Sequence, residues 1–357
     1  MILFGLRDAG SINACLPVIT VLKDKGIPVS VYAEGLAPEH LKDKLVFIPE
    51  CKVGDLLDFV GPVLVVVTVA NRNQGGSIPI DLNNEAKRRN LPTVLVEEVW
   101  GGHAASRWNI LPDGICVCDE FAKHLILKSW PDYPKVHVHV TGMPVFDKYF
   151  EVKTNIARYK LRNTLGLNEN WPVVFFAGQA WGMPQAVKMF VEAVNSFDKP
   201  FYLILADHPA VTFPKATDEF KKIYLEYRKE LDYLRAGEVI DHGDFTSGEI
   251  MAGSDLVVGI YSTMTVEACY LRKPVLIIWT PEIGQSLIKA RNNIMAEWPI
   301  VSLGAALKAE STKEIKSCLQ KIFAGDTVAT LKAQQKHFRT DGLSGERVAK
   351  AILSYYK

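Results

Sequence analysis

AGSDLVVGIYSTMTVEACYLRKPV, residues 252–275, is the stretch on which the fold assignment turns. Its apolar run 256–258 predicts a short strand that ends by Gly259. Two hydroxyl residues, Ser262 and Thr263, then open a predicted helix over 265–271. Lys273-Pro274 stops that helix, and a second apolar strand is predicted over 275–279. A strand that is apolar on both faces is covered on both faces, which is the habit of a parallel sheet. Strand, helix and strand in this order make one βαβ step of a doubly wound α/β domain.

Working outward, the same step recurs along the chain. In the first half, strands are predicted over 2–6, 29–33, 45–48, 63–69, 93–96, 114–117 and 136–141, and helices over 12–25, 53–60, 81–90 and 120–129. In the second half, strands are predicted over 173–177, 201–205 and 239–241, and helices over 155–165, 184–196, 215–235 and 312–323. Two last helices, broken at Gly342, fill 326–357. Unbroken apolar β-branched runs separated by amphipathic segments support the assignments. The expected architecture is α/β: two doubly wound, Rossmann-like domains facing a cleft. Residues 1–150 form the first domain and 151–330 the second, with helices of 331–357 packing back on the first.

Composition agrees with this plan. The chain has 357 residues, and one domain takes roughly 100–200. With 48% hydrophobic residues it buries two cores without disulfides or structural metals. A net charge of +1 gives no bulk attraction to nucleic acid or to an anionic membrane. The cysteines Cys15, Cys51, Cys116, Cys118, Cys269 and Cys318 form no Cys-x-x-Cys pair and no zinc-ligand spacing. Most sit in apolar runs, as reduced buried thiols do, so a cytoplasmic location is expected. The opening Met-Ile-Leu-Phe-Gly-Leu-Arg does not read as a signal peptide, and no apolar run approaches the roughly 20 residues that span a bilayer. Peripheral membrane contact stays open.

Ligands of open α/β sheets bind beyond the carboxyl ends of the strands, so the loops there carry the candidate chemistry. Arg7-Asp8-Ala9-Gly10-Ser11 follows the first strand. Gly10 permits a tight turn, Ser11 or Asn13 caps the helix, and Asp8 is a candidate general base, or else only a capping group. Glu97-Glu98-Val99-Trp100-Gly101-Gly102-His103 ends another buried strand. Adjacent strand residues face opposite ways, so one glutamate is expected to face the ligand, with Glu98 and His103 as candidate acid/base groups. A solvated loop with a capping histidine is the plainer reading.

In the second half, Gly178 and Gln179 precede Trp181, whose ring is suited to stacking on a base. This loop is not a G-x-G-x-x-G fingerprint, so dinucleotide binding is not supported. Asp207-His208-Pro209 ends another strand, with His208 a candidate phosphate partner. At 261–265, backbone N–H groups with Ser262 and Thr263 present a diphosphate site at a helix N-terminus, and Glu267 is placed to accept ribose hydroxyls. The alternative there is a Ser/Thr cap with a capping-box glutamate, but the box wants a spacing of three and this pair has four.

Residues 254–275 resemble the donor-binding region of GT-B glycosyltransferases and their relatives. There a hydroxyl-rich turn and a helix glutamate hold the nucleotide diphosphate and ribose. Val140-Thr141-Gly142-Met143-Pro144-Val145-Phe146-Asp147 is similar to the junction of UDP-N-acetylglucosamine 2-epimerase-like and CDP-glycerol glycerophosphotransferase-like proteins. The His-Pro pair at 208–209 resembles a loop of the latter group. Glu97-Glu98 stands where the epimerases carry a catalytic glutamate, although Val99-Trp100-Gly101-Gly102 departs from their pattern and their Arg-rich loop is absent. The resemblance implies a metal-independent transferase. Gly178, Gln179, His208, Ser262, Thr263 and Glu267 would hold a nucleotide-diphosphate sugar, UDP-linked first, as co-substrate rather than cofactor. Asp8, Glu98 and His103 would serve the acceptor, whether lipid, glycan, small molecule or modified base. An epimerase or hydrolase of a UDP-sugar, or a silent nucleotide-sugar binder, is the alternative.

Overall fold

The computed structural model describes residues 1–35, 37–69, 78–105, 108–197, 199–208 and 217–356. The chain forms two compact units. The first comprises Met1–Phe150, Ala290–Met295 and Thr340–Lys357; the second comprises Glu151–Lys289 and Ala296–Arg339.

The first unit is built on a six-stranded sheet: β1 (Ile2–Leu6), β2 (Val29–Ala33), β3 (Leu64–Thr68), β4 (Thr93–Val96), β5 (Gly114–Val117) and β6 (Val138–Val140). The order is β2-β1-β3-β4-β5-β6, and every pairing is parallel. Helices α1 (Ala9–Asp24), α2 (Ala37–Leu41), α3 (Val53–Val60), α4 (Ile78–Arg88) and α5 (Glu120–Ser129) supply the crossovers that parallel strands require. Side chains of β1, β3 and β4 are wholly buried, so their apolar runs do not alternate.

Helix α1 starts three residues before its predicted beginning. Asp8, not Ser11 or Asn13, is the cap: its Oδ1 accepts from Ser11 N–H at 2.9 Å, and Ser11 Oγ accepts from Asp8 N–H at 3.0 Å. This reciprocal pair is a capping box. The strand predicted over 45–48 is reduced to a single bridge between Tyr32 and Ile48. Pro49 follows directly and has no N–H with which to extend the ladder.

In the second unit, α6 (Thr154–Leu165) leads to β7 (Val173–Ala177), α7 (Met183–Val194), β8 (Phe201–Ala206), α8 (Asp218–Leu231) and β9 (Gly237–Val239). There follow α9 (Ser247–Gly253), β10 (Leu256–Gly259), α10 (Thr263–Tyr270), β11 (Val275–Ile278), α11 (Pro281–Ala290), α12 (Pro299–Ser302), β12 (Leu307–Ala309), α13 (Thr312–Phe323) and α14 (Val328–His337). The sheet order is β12-β11-β10-β7-β8-β9, again all parallel. Two six-stranded parallel sheets with flanking helices are two Rossmann-like α/β domains. The helix predicted over 215–235 begins at Asp218, and residues 215 and 216 lie outside the described residues. Helix α9, not predicted, carries a full capping box, Thr246 with Glu249.

The last helix, α15 (Ser344–Leu353), belongs to the first unit and contributes Val348, Ala349 and Ile352 to its core. Its first turn has no cap of its own. Asp147 provides one from far along the chain, accepting from Ser344 N–H at 3.0 Å and Gly345 N–H at 2.7 Å. Arg347 Nε donates to the Thr141 carbonyl at 2.7 Å, and Gly142, at φ +88°, leaves room for Ser344. The motif at 140–147 is therefore the anchor of the C-terminal helix. No helix among the described residues is long and apolar enough to cross a membrane.

At the amino end of the second sheet, Arg162 of α6 is fully buried and gathers the strand starts. Its guanidinium donates to Asp255 Oδ2 at 2.6 Å and to the carbonyls of Asn168 and Trp171 at 2.7 and 2.8 Å. Asp255 also accepts from Val173 N–H at 2.8 Å. Removing the carboxylate strands a buried cation, and such losses cost about 3–5 kcal/mol. Asp255→Ala should lose about that much unfolding free energy in urea, and a loss below about 1 kcal/mol would show that the pair is not the staple of this sheet.

Candidate functional site

Each sheet has a switch point, where the chain turns from building one side to building the other. In the second sheet it lies between β7 and β10, which pair Val174 with Leu256 and Phe176 with Val258. A crevice outside the carboxyl ends of the strands is expected at such a point. Three loops meet there, after β7, β8 and β10.

Gly178 follows β7. A Cβ at this position would come within 1.9 Å of the Ala206 carbonyl oxygen and 2.9 Å of His208 N. Only glycine allows the loop after β7 to lie directly on the loop after β8. Gln179, the next residue, hydrogen-bonds Tyr261, whose hydroxyl also meets Ser286 Oγ at 2.8 Å. Trp181 is 41% exposed and its ring packs against Phe220, with centroids 5.5 Å apart.

Asp207 is committed elsewhere: it accepts from the Tyr227 hydroxyl at 2.8 Å and pairs with Arg228. His208 is partly buried, and burial holds its imidazole below the usual value, so the neutral ring prevails at neutral pH. Pro209 and Ala210 lie outside the described residues.

After β10, Ser262 is the N-cap of α10 and accepts from Met264 N–H at 3.3 Å. Thr263 is the exposed first residue of the helix, and Glu267 is partly buried one turn on. No capping box forms here; Thr265 turns its hydroxyl back to the Ser262 carbonyl at 2.6 Å and accepts from Trp298 Nε1 at 3.0 Å. The loop is thus braced from below; Ser262 takes the N–H groups of Met264 and Thr265, and Thr263 is left exposed at the helix start.

In the first sheet the switch point lies between β1 and β3, beside Asp8. The two glutamates after β4 separate as strand alternation predicts. Glu97 turns inward: Oε1 accepts from His103 N–H at 2.9 Å and lies 2.6 Å from His103 Nδ1. His103 is wholly buried, and its Nε2 meets Ser129 Oγ at 2.9 Å. Both ring nitrogens are therefore engaged, and His103 braces Glu97 from inside the domain. Glu98 turns the other way, its Oε2 lying 2.3 Å from where a Cβ of Gly10 would stand. Burial raises the Glu98 carboxyl well above the usual range; Asp8 and Glu97 add to this, and Arg291 opposes it.

Arg291 was not legible as a site residue. It stands in the segment Ala290–Met295, far in sequence from Glu98. Gly101, at φ +69°, lets that segment approach, with Arg291 Cδ, Ile294 and Met295 all within 3.5 Å of the missing Cβ. Asn292 and Asn293 are both left-handed, at φ 52° and 58°. A consecutive Asn pair is a turn signal, but it does not announce what the turn presents. Among the described residues, no three His, Cys, Asp or Glu side chains are grouped to hold a metal ion.

No protein-family model matches the chain, and no curated protein matches it in sequence. Solved structures do match its fold. UDP-GlcNAc 2-epimerase from Neisseria meningitidis, bound to UDP-GlcNAc, is 14% identical with a TM-score of 0.67, over 99% of each chain. MurG from Acinetobacter baumannii is 13% identical with a TM-score of 0.63, over 99% of each chain. A glycosyltransferase from Rickettsia africae is 10% identical with a TM-score of 0.63, over 99% of this chain and 98% of that one. The chain has the GT-B-like fold of these proteins.

Beside Glu97, the buried Trp100 donates Nε1–H to both oxygens of Asp119, at 3.0 and 2.9 Å. Burial pushes the Asp119 carboxyl up to about 6 from 3.8, against the bonds from Ala122 N–H, Trp100 and Cys118. A carboxyl raised in the folded state contributes stability below its unfolded value and loses it as pH climbs through its folded value. The stability of the wild type relative to Asp119→Asn should therefore fall between about pH 4 and pH 7. Urea titrations across that range test it, and a difference that is flat or rises with pH overturns it.

Proposed function

We propose that this chain is a metal-independent enzyme acting on a nucleotide-diphosphate sugar, UDP-linked first, and that it moves the sugar or a polyol to an acceptor hydroxyl. The second unit would hold the donor. The observation that carries this is the contact of Gly178 with the Ala206 carbonyl, beside the Ser262-capped helix, at the switch point of the sheet. A diphosphate there would meet the positive end of the α10 dipole and the hydroxyl of Thr263. Those dipoles would also stabilise the departing diphosphate without a cation. Glu267 would accept the ribose hydroxyls, Gln179 and His208 would flank the phosphates, and Trp181 offers a face for stacking.

The first unit would supply the acid/base groups. Glu98, raised by burial, is suited to carry a proton at neutral pH, while Asp8 stands beside it as a candidate base. His103 would act through Glu97 rather than on the substrate. The same pair of unlike carboxyls supports a second reading, an epimerase or hydrolase that needs an acid and a base on one sugar.

Calorimetric titration with UDP tests the donor site. Glu267→Ala should weaken binding by about 1–3 kcal/mol. Unchanged affinity in a folded variant removes Glu267 from the site, and a wild type that ignores UDP and other nucleoside diphosphates sinks the reading. Incubation with UDP-GlcNAc alone then separates the two reactions: a new sugar without acceptor favours the epimerase or hydrolase, and turnover only with an added hydroxyl acceptor favours the transferase.

A further inference from the structure

Tyr355 lies in the turn that follows α15, the last helix of the first unit. Its ring sits on Gly114, the first residue of β5, where a Cβ would stand 2.6 Å from the ring carbons and 2.7 Å from the hydroxyl. Only glycine leaves that space. From there the hydroxyl reaches across to the edge strand β6, meeting His137 Nδ1 at 2.9 Å and His139 Nε2 at 2.9 Å. Both imidazoles also pack against the phenol ring, with centroids 6.0 and 5.8 Å away.

One phenol proton thus serves two imidazoles. The hydroxyl donates to one ring and accepts from the other, so the bridge is complete while at least one of the two nitrogens keeps its lone pair. Tyr355 holds on to that proton, because burial, then Cys116 and Asp113, raise it from 10 to about 12. When both rings are protonated, both nitrogens become donors to one oxygen, and the phenol hydrogen loses its acceptor. Two cations then share a single neutral atom. The surroundings oppose the second charge. Burial holds His139 below its usual 6.5, and His137 and Lys123 lower it further. Lys123 of α5 is fixed there, its Nζ donating to the Val138 carbonyl, between the two histidines, at 2.8 Å. Cys116 of β5 stays a neutral thiol, raised to about 12 by burial. Asp113 is paired with Lys87 of α4 and accepts from Thr93 N–H at 2.8 Å. Tyr133 also acts on Tyr355, but its hydroxyl is given to the Pro112 carbonyl at 2.9 Å.

We propose that Tyr355, His137 and His139 form an acid-opened latch: near neutral pH it holds the C-terminal turn on β5 and β6, and with both imidazoles charged it lets that turn go. The start of α15 is held separately, by Asp147 and by Arg347 on the Thr141 carbonyl. Val348, Ala349 and Ile352 keep its body in the core. Opening is therefore confined to residues 354–356. A histidine held below its unfolded value stabilises the closed form above pH 6.5, and that stability is lost as pH falls. The latch does not depend on the proposed reaction.

Hydrogen exchange of the full chain, read by mass spectrometry and corrected for the intrinsic pH dependence of exchange, tests it. From about pH 7 to about pH 4.5, the peptide that carries Tyr355 should lose at least about fivefold in protection, while peptides of α1 and β7 keep theirs. Tyr355→Phe keeps a ring on Gly114 without the hydroxyl; its turn should be poorly protected already at neutral pH and change little in acid. His139→Gln carries an amide that bonds the hydroxyl at any pH, so its turn should stay protected in acid. Wild-type protection that is flat with pH overturns the proposal, as does a loss shared equally by α1 and β7. So does a Tyr355→Phe or His139→Gln variant that opens in acid as the wild type does.

Discussion

Parallel strand pairing is the constraint on which everything else here depends. All strands of a sheet then run the same way, so every loop that follows a strand lies along one edge. Residues separated by decades of sequence are collected there by topology alone. Gly178, His208 and Ser262 follow three different strands and meet because β8, β7 and β10 are neighbours. Asp8 and Glu98 meet because β1, β3 and β4 are neighbours. The opposite edge is left to structural bonds, and Arg162 with Asp255 occupies it in the second unit.

Close backbone approach is the second requirement, and glycine is where it shows. Gly178 touches the next loop in a way no side chain permits, and Gly101 admits the segment that carries Arg291. Elsewhere helix starts and turns are held by paired polar groups. Asp8 caps its own helix, Asp147 caps the last helix, and Thr265 and Trp298 brace the turn under Ser262.

Much of the fold was readable from periodicity. Eight elements have the bounds that the sequence pattern predicts: Ile2–Leu6, Val29–Ala33, Val53–Val60, Thr93–Val96, Gly114–Val117, Glu120–Ser129, Val173–Ala177 and Thr312–Phe323. Wholly buried strands show as unbroken β-branched runs bounded by polar or turn residues, which leaves little doubt about their ends. The failures have physical causes. The run at 45–48 is apolar enough for a strand but is stopped by Pro49 after one bridge. Strand Leu307–Ala309 is three residues at a sheet edge, too short to show a period. Helix α1 is capped by Asp8 rather than by Ser11 or Asn13, because a capping box uses both Asp8 and Ser11 and only geometry tells which one is the cap.

By itself the sequence determined the α/β class, the strand–helix alternation and the strand-end loops that carry glycines, hydroxyls and carboxylates. These are local properties, set by side-chain period, cap chemistry and backbone freedom within a few residues. It did not determine that His103 is sealed behind Glu97, that Glu98 covers Gly10, or that Arg291 joins them. Those are consequences of strand order and of a segment distant in sequence, Ala290–Met295, that belongs to the first unit. Only the tertiary structure decides them, because burial and electrostatic environment belong to the packed neighbourhood and not to the residue.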